Sequence, residues 1–238
     1  MKTAESSVLM TRRSFRWLIC QDYDDRANVA TYHYKREAAA DVDTTSVEES
    51  NRLERRCTAD CYPDRMRYGN LKPFLPTLSA EGVGWPGLND VQGPQWIFSV
   101  IFDYTSASST RIPSTAPTDI SQRHLRVDPF STHRAGFEVR TYRLCHRVLM
   151  FHHFEELGAT KYLVRSTDFE YDDRTDLKDL EKPGYSVLKS VTQRAYQKRS
   201  HNDATYESCP LPPVGFTYSE PRVDETVQTS ESSDLEIF

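Results

Sequence analysis

The sequence predicts an all-β chain of antiparallel strands, with long irregular loops and at most one short helix. Three observations carry this expectation. Period-two runs of β-branched and aromatic residues recur along the chain, prolines and glycines cluster between them, and no strand alternates with a crossover helix. The apolar inventory agrees, since 13 Tyr, 11 Phe and 3 Trp suit half-buried pleated surfaces. A length of 238 residues leaves room for one sizeable domain or two small ones. The core is thin, because 37% hydrophobic residues, 27% charged residues and 13 Pro against 9 Gly commit much of the chain to solvated surface and irregular connections.

The runs FRWLIC (15–20) and VATYHYKR (29–36) read as a hairpin, turned by the acidic stretch QDYDDRAN, whose Asp and Asn residues favour turns. In the second run Ala30, Tyr32 and Tyr34 share one face. The single helix is expected next, with Thr45 as its cap, Glu48 in capping-box position, and no Gly or Pro before Arg56. It lacks a strong apolar stripe. Between 72 and 94, Pro73, Pro76, Pro86 and Pro94 alternate with Gly82, Gly84, Gly87 and Gly93, which suits a long irregular connection.

A strand follows in QWIFSVIFDY, where Trp96, Phe98, Val100, Phe102 and Tyr104 alternate with Ile97, Ser99, Ile101 and Asp103. After a Ser/Thr/Pro-rich loop from Thr105 to about Asp119, the β pattern returns. The run GFEVRTYRLCHRVLMFHHF (136–154) exceeds the usual strand of about 3 to 10 residues, so it must bend, break or belong to an extended sheet. Further strands are expected from Thr160, Ser186 and Val214, joined by polar or Pro-rich loops such as CPLPP.

Charge excludes one class of partner. A formal charge of -5 is spread as mixed acids and bases, so no basic field exists to hold a phosphate backbone. Arg52, Arg55 and Arg56, and Lys198 with Arg199, sit among acids and read as solvated faces. No apolar run is long enough to cross a bilayer, and MKTAESSVLMTRRSF lacks the apolar core of a secretory signal. The five cysteines, Cys20, Cys57, Cys61, Cys145 and Cys209, are odd in number and irregular in spacing, as expected of free thiols in a reducing cytoplasm.

Each chemical motif fails on its context. Gly82, Gly84 and Gly87 in GVGWPG match a dinucleotide fingerprint in form, with Asp103 about 20 residues on. No strand leads into it, however, and Pro86 with Gly93-Pro94 denies it a helix. Cys57 and Cys61 have no second pair to complete a tetrahedral zinc site, and His152 and His153 would point to opposite strand faces. Asp22, Asp24 and Asp25 offer oxygen ligands without the loop glycine or final carboxylate of a calcium loop, so they read as a turn. Ser131, Thr132 and His133 lack a strained nucleophile turn or an orienting partner. The expectation is therefore a non-enzyme, with no catalytic, cofactor-binding or metal-binding residues.

A family resemblance runs in order along the chain. Its strongest stretch is DPFSTHRAGFEVRTYRLCHRVLMFHHF (128–154), followed by YLVRSTDFEYD from Tyr162. FRWLICQDYDDRANVATYHYKRE from Phe15, MRYGN from Met66, WIFSVIFDY from Trp96, LKSVTQRAYQKR from Leu188 and LPPVGFTYSEP from Leu211 join it. Together, over about 15–227, these resemble the N-terminal region shared by B components of bacterial insecticidal toxin complexes and SpvB-type virulence proteins.

The resemblance implies β strips of a large hollow shell, in which a B component joined to a C component encloses a cytotoxic polypeptide and docks on a pore-forming A component. Residues 1–238 are then expected to be a partial shell segment without a catalytic domain. It would stop near where the family's β-propeller begins, so that contact with the A component would be indirect. Partners would be the C component and the remaining B shell, with no nucleic acid and no membrane insertion. The segment would be made in the cytoplasm and act outside the cell without a Sec signal. Alone it would be marginal or prone to aggregate through unpaired strand edges. The alternative from another class is an autonomous carbohydrate-binding β module using exposed aromatics.

Overall fold

The computed structural model of the chain describes residues 15–38, 41–43, 45, 47, 49–50, 52, 59–74, 95–105, 125–157, 161–173, 185–199 and 206–219. Strands and their connections dominate these residues, as the all-β reading expected. They are β1 (Gln21–Tyr23), β2 (Val29–Arg36), β3 (Cys61–Asn70), β4 (Trp96–Asp103), β5 (Leu125–Thr132), β6 (Val139–Arg143), β7 (Arg147–His152), β8 (Tyr162–Asp173), β9 (Ser186–Lys198), β10 (Tyr206–Pro210) and β11 (Val214–Gly215). Nine strands form one sheet in the order β1-β2-β3-β4-β7-β8-β9-β10, with β11 also on β9, while β5 and β6 pair separately. Every pairing is antiparallel. The large sheet is thus a meander, interrupted once between β4 and β7 by the β5–β6 hairpin.

Directly paired residues of antiparallel strands share a face, so the register can be read as rows. One row runs His33, Arg65, Ile101, Leu149, Ser166 and Arg194; its neighbour runs Thr31, Arg67, Ser99, Phe151 and Leu163. Ile101, Leu149, Phe151 and Leu163 form the buried core cluster, with Tyr196 and Tyr206 packed against it. The core is small and sits at the centre of the sheet, where β4, β7 and β8 cover one another's flanks. Of the other residues on β4, Phe98 meets Tyr68 at 5.0 Å, His152 at 5.0 Å and Phe154 at 5.8 Å between ring centroids. Phe98, on the aromatic face of β4, is therefore engaged in ring packing.

The first hairpin is shifted along the chain. β1 occupies Gln21–Tyr23, and Phe15 to Cys20 are exposed without strand structure. The cause is a tight turn: Asp24 accepts hydrogen bonds from the Arg26 N–H (3.0 Å), the Asn28 N–H (2.8 Å) and Asn28 Nδ2 (2.6 Å). Those bonds confine the turn to Asp24–Asn28, with Ala27 at φ 65°, and release Gln21–Tyr23 to pair with β2. Asp24 and Asp25 serve the turn, as their composition suggested, whereas Asp22 lies in β1 opposite Ala30.

The expected helix from Thr45 to Arg56 is a correction, since the described residues between 45 and 52 adopt turns or irregular backbone. Thr45 instead donates its own N–H (2.9 Å) and hydroxyl (2.6 Å) back to Asp43, which closes a local turn. The run 136–154 breaks, as one of its alternatives required: β6 and β7 lie in different sheets, separated by Leu144–His146. β3 was not expected as a strand, and β10 takes in Cys209 and Pro210, which were expected in the CPLPP loop. Pro63 lies beside the register shift between His33 and Tyr34, and Pro210 ends an edge strand, where a missing N–H breaks no ladder. The expected loops at 75–94 and 106–120 lie outside the described residues.

One glycine is structurally required. Gly69 has φ 69°, and a Cβ there would stand 2.8 Å from Cδ2 of Phe98. Its neighbour Asn70 accepts from the Val29 N–H (2.9 Å) and donates to the carbonyls of Ala27 (3.0 Å) and Lys72 (2.7 Å). The motif MRYGN therefore ends β3 and fastens the first hairpin to it.

Candidate functional site

Two clusters of arginine stand out, one saturated with carboxylates and one without them. The first fastens β6 to the start of the large sheet. Arg143, at the end of β6, donates to both oxygens of Glu37 (2.9 and 2.8 Å) and both of Asp41 (2.8 and 2.5 Å). The side chains of Arg143 and Glu37 are completely buried. Burial alone would lower the Arg143 pKa, but hydrogen bonds and charge from the two carboxylates raise it above its ordinary value. Three residues earlier, Arg140 reaches Glu49 at 2.5 Å, and the Tyr142 hydroxyl donates to the other Glu49 oxygen at 2.7 Å.

Around this clasp three further hydrogen bonds reach sequence-distant chain, although Arg140 Nε is buried without a partner among the described residues. Thr141 donates to Asp60 (2.8 Å), the Tyr142 N–H to the Tyr62 hydroxyl (2.9 Å), and Arg52 to Glu138 (2.9 Å). Burial pushes the Tyr62 phenol above its ordinary pKa, so it remains a neutral hydrogen-bonding group. At the far end of the hairpin, Asp128 accepts from the N–H and hydroxyl of Ser186, each at 2.9 Å, and pairs with Arg126. The β5–β6 hairpin thus bridges two distant parts of the large sheet. Such pairs fix geometry more than they add net stability, because desolvation offsets much of their attraction.

The second cluster lines a cavity of about 850 Å³ beside β3 and β4. Its wall includes Arg65, Arg67, Trp96, Ile97, Ser99 and His153. Ser99 Oγ lies 2.8 Å from Nε2 of His153. Burial, then the neighbouring charge of Arg65, lowers the Arg67 pKa. His33, in the same row, is lowered by burial and by both arginines. Arg65, Arg67 and Lys161, the carboxylates of Glu155 and Glu156, and apolar side chains line the site together.

The sequence-derived candidates do not converge on chemistry. Ser131 donates to Glu138 at 2.6 Å and accepts from Arg140 at 3.1 Å, which spends it on the clasp, while His133 is exposed in the hairpin turn. His152 joins the ring cluster and His153 meets Ser99, so the adjacent pair diverges. Cys61 lies half-buried in β3, whereas Cys57 and the glycines of GVGWPG lie outside the described residues. Among the described residues no group of three metal-ligating side chains converges. Neither arginine cluster was foreseen, because alternating charge in a strand looks like solvated surface until the register places it.

The same fold recurs in known proteins. The family model described as Salmonella virulence plasmid 65kDa B protein, SpvB, matches residues 2–154. The mono(ADP-ribosyl)transferase SpvB of Salmonella typhimurium (strain 14028s) is 33% identical over 171 residues, which is 69% of this chain and 26% of that relative. The chain therefore spans about a quarter of the length of the curated relatives it matches. The solved N-terminal domain of effector protein SpvB from Salmonella typhimurium strain LT2 aligns with TM-score 0.58 and 30% identity, over 76% of this chain and 51% of that one. A crystal structure of TcdB2-TccC3-Cdc42 aligns with TM-score 0.61 and 27% identity, over 86% of this chain and 9% of that one. A Photorhabdus luminescens Tc holotoxin pore aligns with TM-score 0.59 and 28% identity, over 85% of this chain and 8% of that one. By the family match and the identity over most of its length, the chain belongs to the SpvB family, and its fold is that of the SpvB N-terminal domain and of part of the Tc toxin TcdB2-TccC3 assembly.

Proposed function

We propose that residues 1–238 form a non-catalytic structural segment of a toxin-complex B component, one strip of the shell that encloses a cytotoxic polypeptide. The observation that carries this reading is that 86% of the chain superposes on only 9% of the chain in the TcdB2-TccC3-Cdc42 structure, as a small strip within a far larger scaffold. The sheet edge supports it. Leu211, Val214, Phe216 and Tyr218 are exposed although this segment is tied to β9 through Leu211 N–H to Gln193 O (2.8 Å), Phe216 N–H to Lys189 O (2.9 Å) and the Tyr218 hydroxyl to Leu188 O (2.9 Å). Apolar side chains held in place and left wet suit coverage by an adjoining strip. The partners proposed are the remaining B shell and the C component, with the A component reached only through a propeller, and the assembly acts outside the producing cell.

Co-expression with the rest of a B component and its C component is the test. The expected result is co-purification, higher soluble yield and greater protease resistance than for the chain alone, with no ADP-ribosyl transfer by the isolated chain. A chain that is monomeric, unfolds cooperatively and is indifferent to those partners would be an autonomous β domain, with glycan binding the first property to assay.

A further inference from the structure

Arg65 and Arg67 are half-buried side chains on one face of β3, and both line the cavity. Neither guanidinium has an ion pair or hydrogen bond among the described residues, and Arg65 Nε is buried without a partner. This is unfavourable: partial desolvation of a cation without a counter-charge opposes folding, and two neighbours repel. The clasp shows that the chain can saturate buried arginine with carboxylates when the arginine serves the fold. A pair left without a counter-charge by the described residues, beside a cavity, is organised for an anion.

The surroundings define that anion. Trp96, Ile97 and Ile101 contribute apolar wall, and about 850 Å³ is far more than a bare inorganic oxyanion fills. Positions 65 and 67 are separated by two residues of strand, about 7 Å, which is also the spacing of alternate side chains in any extended peptide. We propose that Arg65 and Arg67 bind the carboxylates of an extended acidic peptide segment with acids at alternate positions, while Trp96 and Ile97 receive its flanking apolar side chains. The exposed rim carries Glu155 and Glu156, which repel such a segment, and Lys161, which attracts it. This site is independent of the shell assignment, since a free chain would bind the peptide equally.

The test uses the full chain in calorimetric titrations with an acetylated, amidated Leu-Thr-Glu-Thr-Glu-Thr-Leu peptide. Controls are its Gln-for-Glu counterpart, a version with the two Glu residues adjacent, and inorganic phosphate. Binding is expected to weaken about tenfold for the Gln peptide and about tenfold on Arg67→Met, the scale of one charge-assisted hydrogen bond. Arg67→Met should keep or raise the melting temperature, because it removes one of two neighbouring, half-buried like charges. Glu155→Gln, at an exposed position, should tighten binding and decides the matter even if the arginine variant does not fold. Equal affinity for the Glu and Gln peptides, no effect of spacing, or phosphate binding as tightly as the peptide would each overturn the proposal.

Discussion

The two arginine clusters sit within the same chain and meet opposite fates. Arg143 is completely buried and holds four hydrogen bonds to two carboxylates, whereas Arg65 and Arg67 are half-buried and hold none among the described residues. The difference lies in where the partners come from. Glu37, Asp41 and Glu49 are some hundred residues upstream of β6, so the clasp exists only when the hairpin has docked. Arg65 and Arg67 line a cavity whose wall supplies apolar atoms and a hydroxyl–imidazole pair, with Glu155, Glu156 and Lys161 at its rim and no ion pair to either arginine among the described residues. Saturated charge marks a joint within the fold, and unsaturated charge marks a surface awaiting something else.

The contrast can be broken most forcefully at Arg143. Arg143→Ala leaves Glu37 buried without a counter-charge, and chemical denaturation should show a loss of about 3–5 kcal/mol. Replacing both partners, as Glu37→Leu with Arg143→Met, should recover most of that loss, since Asp41 is partly exposed and can rehydrate. A small effect of the single change would mean that the hairpin is held by other contacts.

Gly69 tests a joint, at the end of β3, that depends on local conformation rather than long-range charge. Gly69→Ala should cost about 2 kcal/mol, combining a left-handed backbone with the approach to Phe98. Adding Phe98→Leu should return the packing part and leave the backbone part. Within the clasp, Tyr142→Phe strands one Glu49 oxygen and should cost about 1 kcal/mol by the same measurement.

The smallest expected effect separates the regions by pH. At Asp41 burial acts upward on the pKa, but hydrogen bonds and charge from Arg143 outweigh it and hold the carboxyl below its ordinary value. Its folded value therefore lies below its unfolded value, so this stability is present above about pH 4 and is lost as pH falls further. His33 is also depressed, but as a base it gains its proton first in the unfolded chain. Its penalty is absent above about pH 6.5 and grows as pH falls through the folded value. Denaturation between pH 7 and 5.5 should show that slope, and Arg67→Met should flatten it because Arg67 is one of its causes, after burial. An unchanged slope would detach His33 from the arginine field.

By itself the sequence determined the β class, the strand centred on Trp96–Asp103, the long strands beginning near Tyr162 and Ser186, and the Asp24 turn. These depend on period-two patterning and on bonds between neighbours in the chain, which a linear string carries in full. It also carried the family, because ordered motifs survive together even when no single one has chemical meaning. The tertiary structure alone decided the rest. Asp43 and Thr45 closed a local turn where a helix start was expected, prolines 63 and 210 found a bulge and an edge where strands tolerate them, and the run 136–154 was divided between two sheets. Above all, the sequence could not tell Arg143 from Arg67, since both are arginines in polar, alternating strands. Whether a charge is saturated depends on which distant carboxylate the register brings to it, and at that separation only the folded chain sets the distance on which electrostatic energy depends.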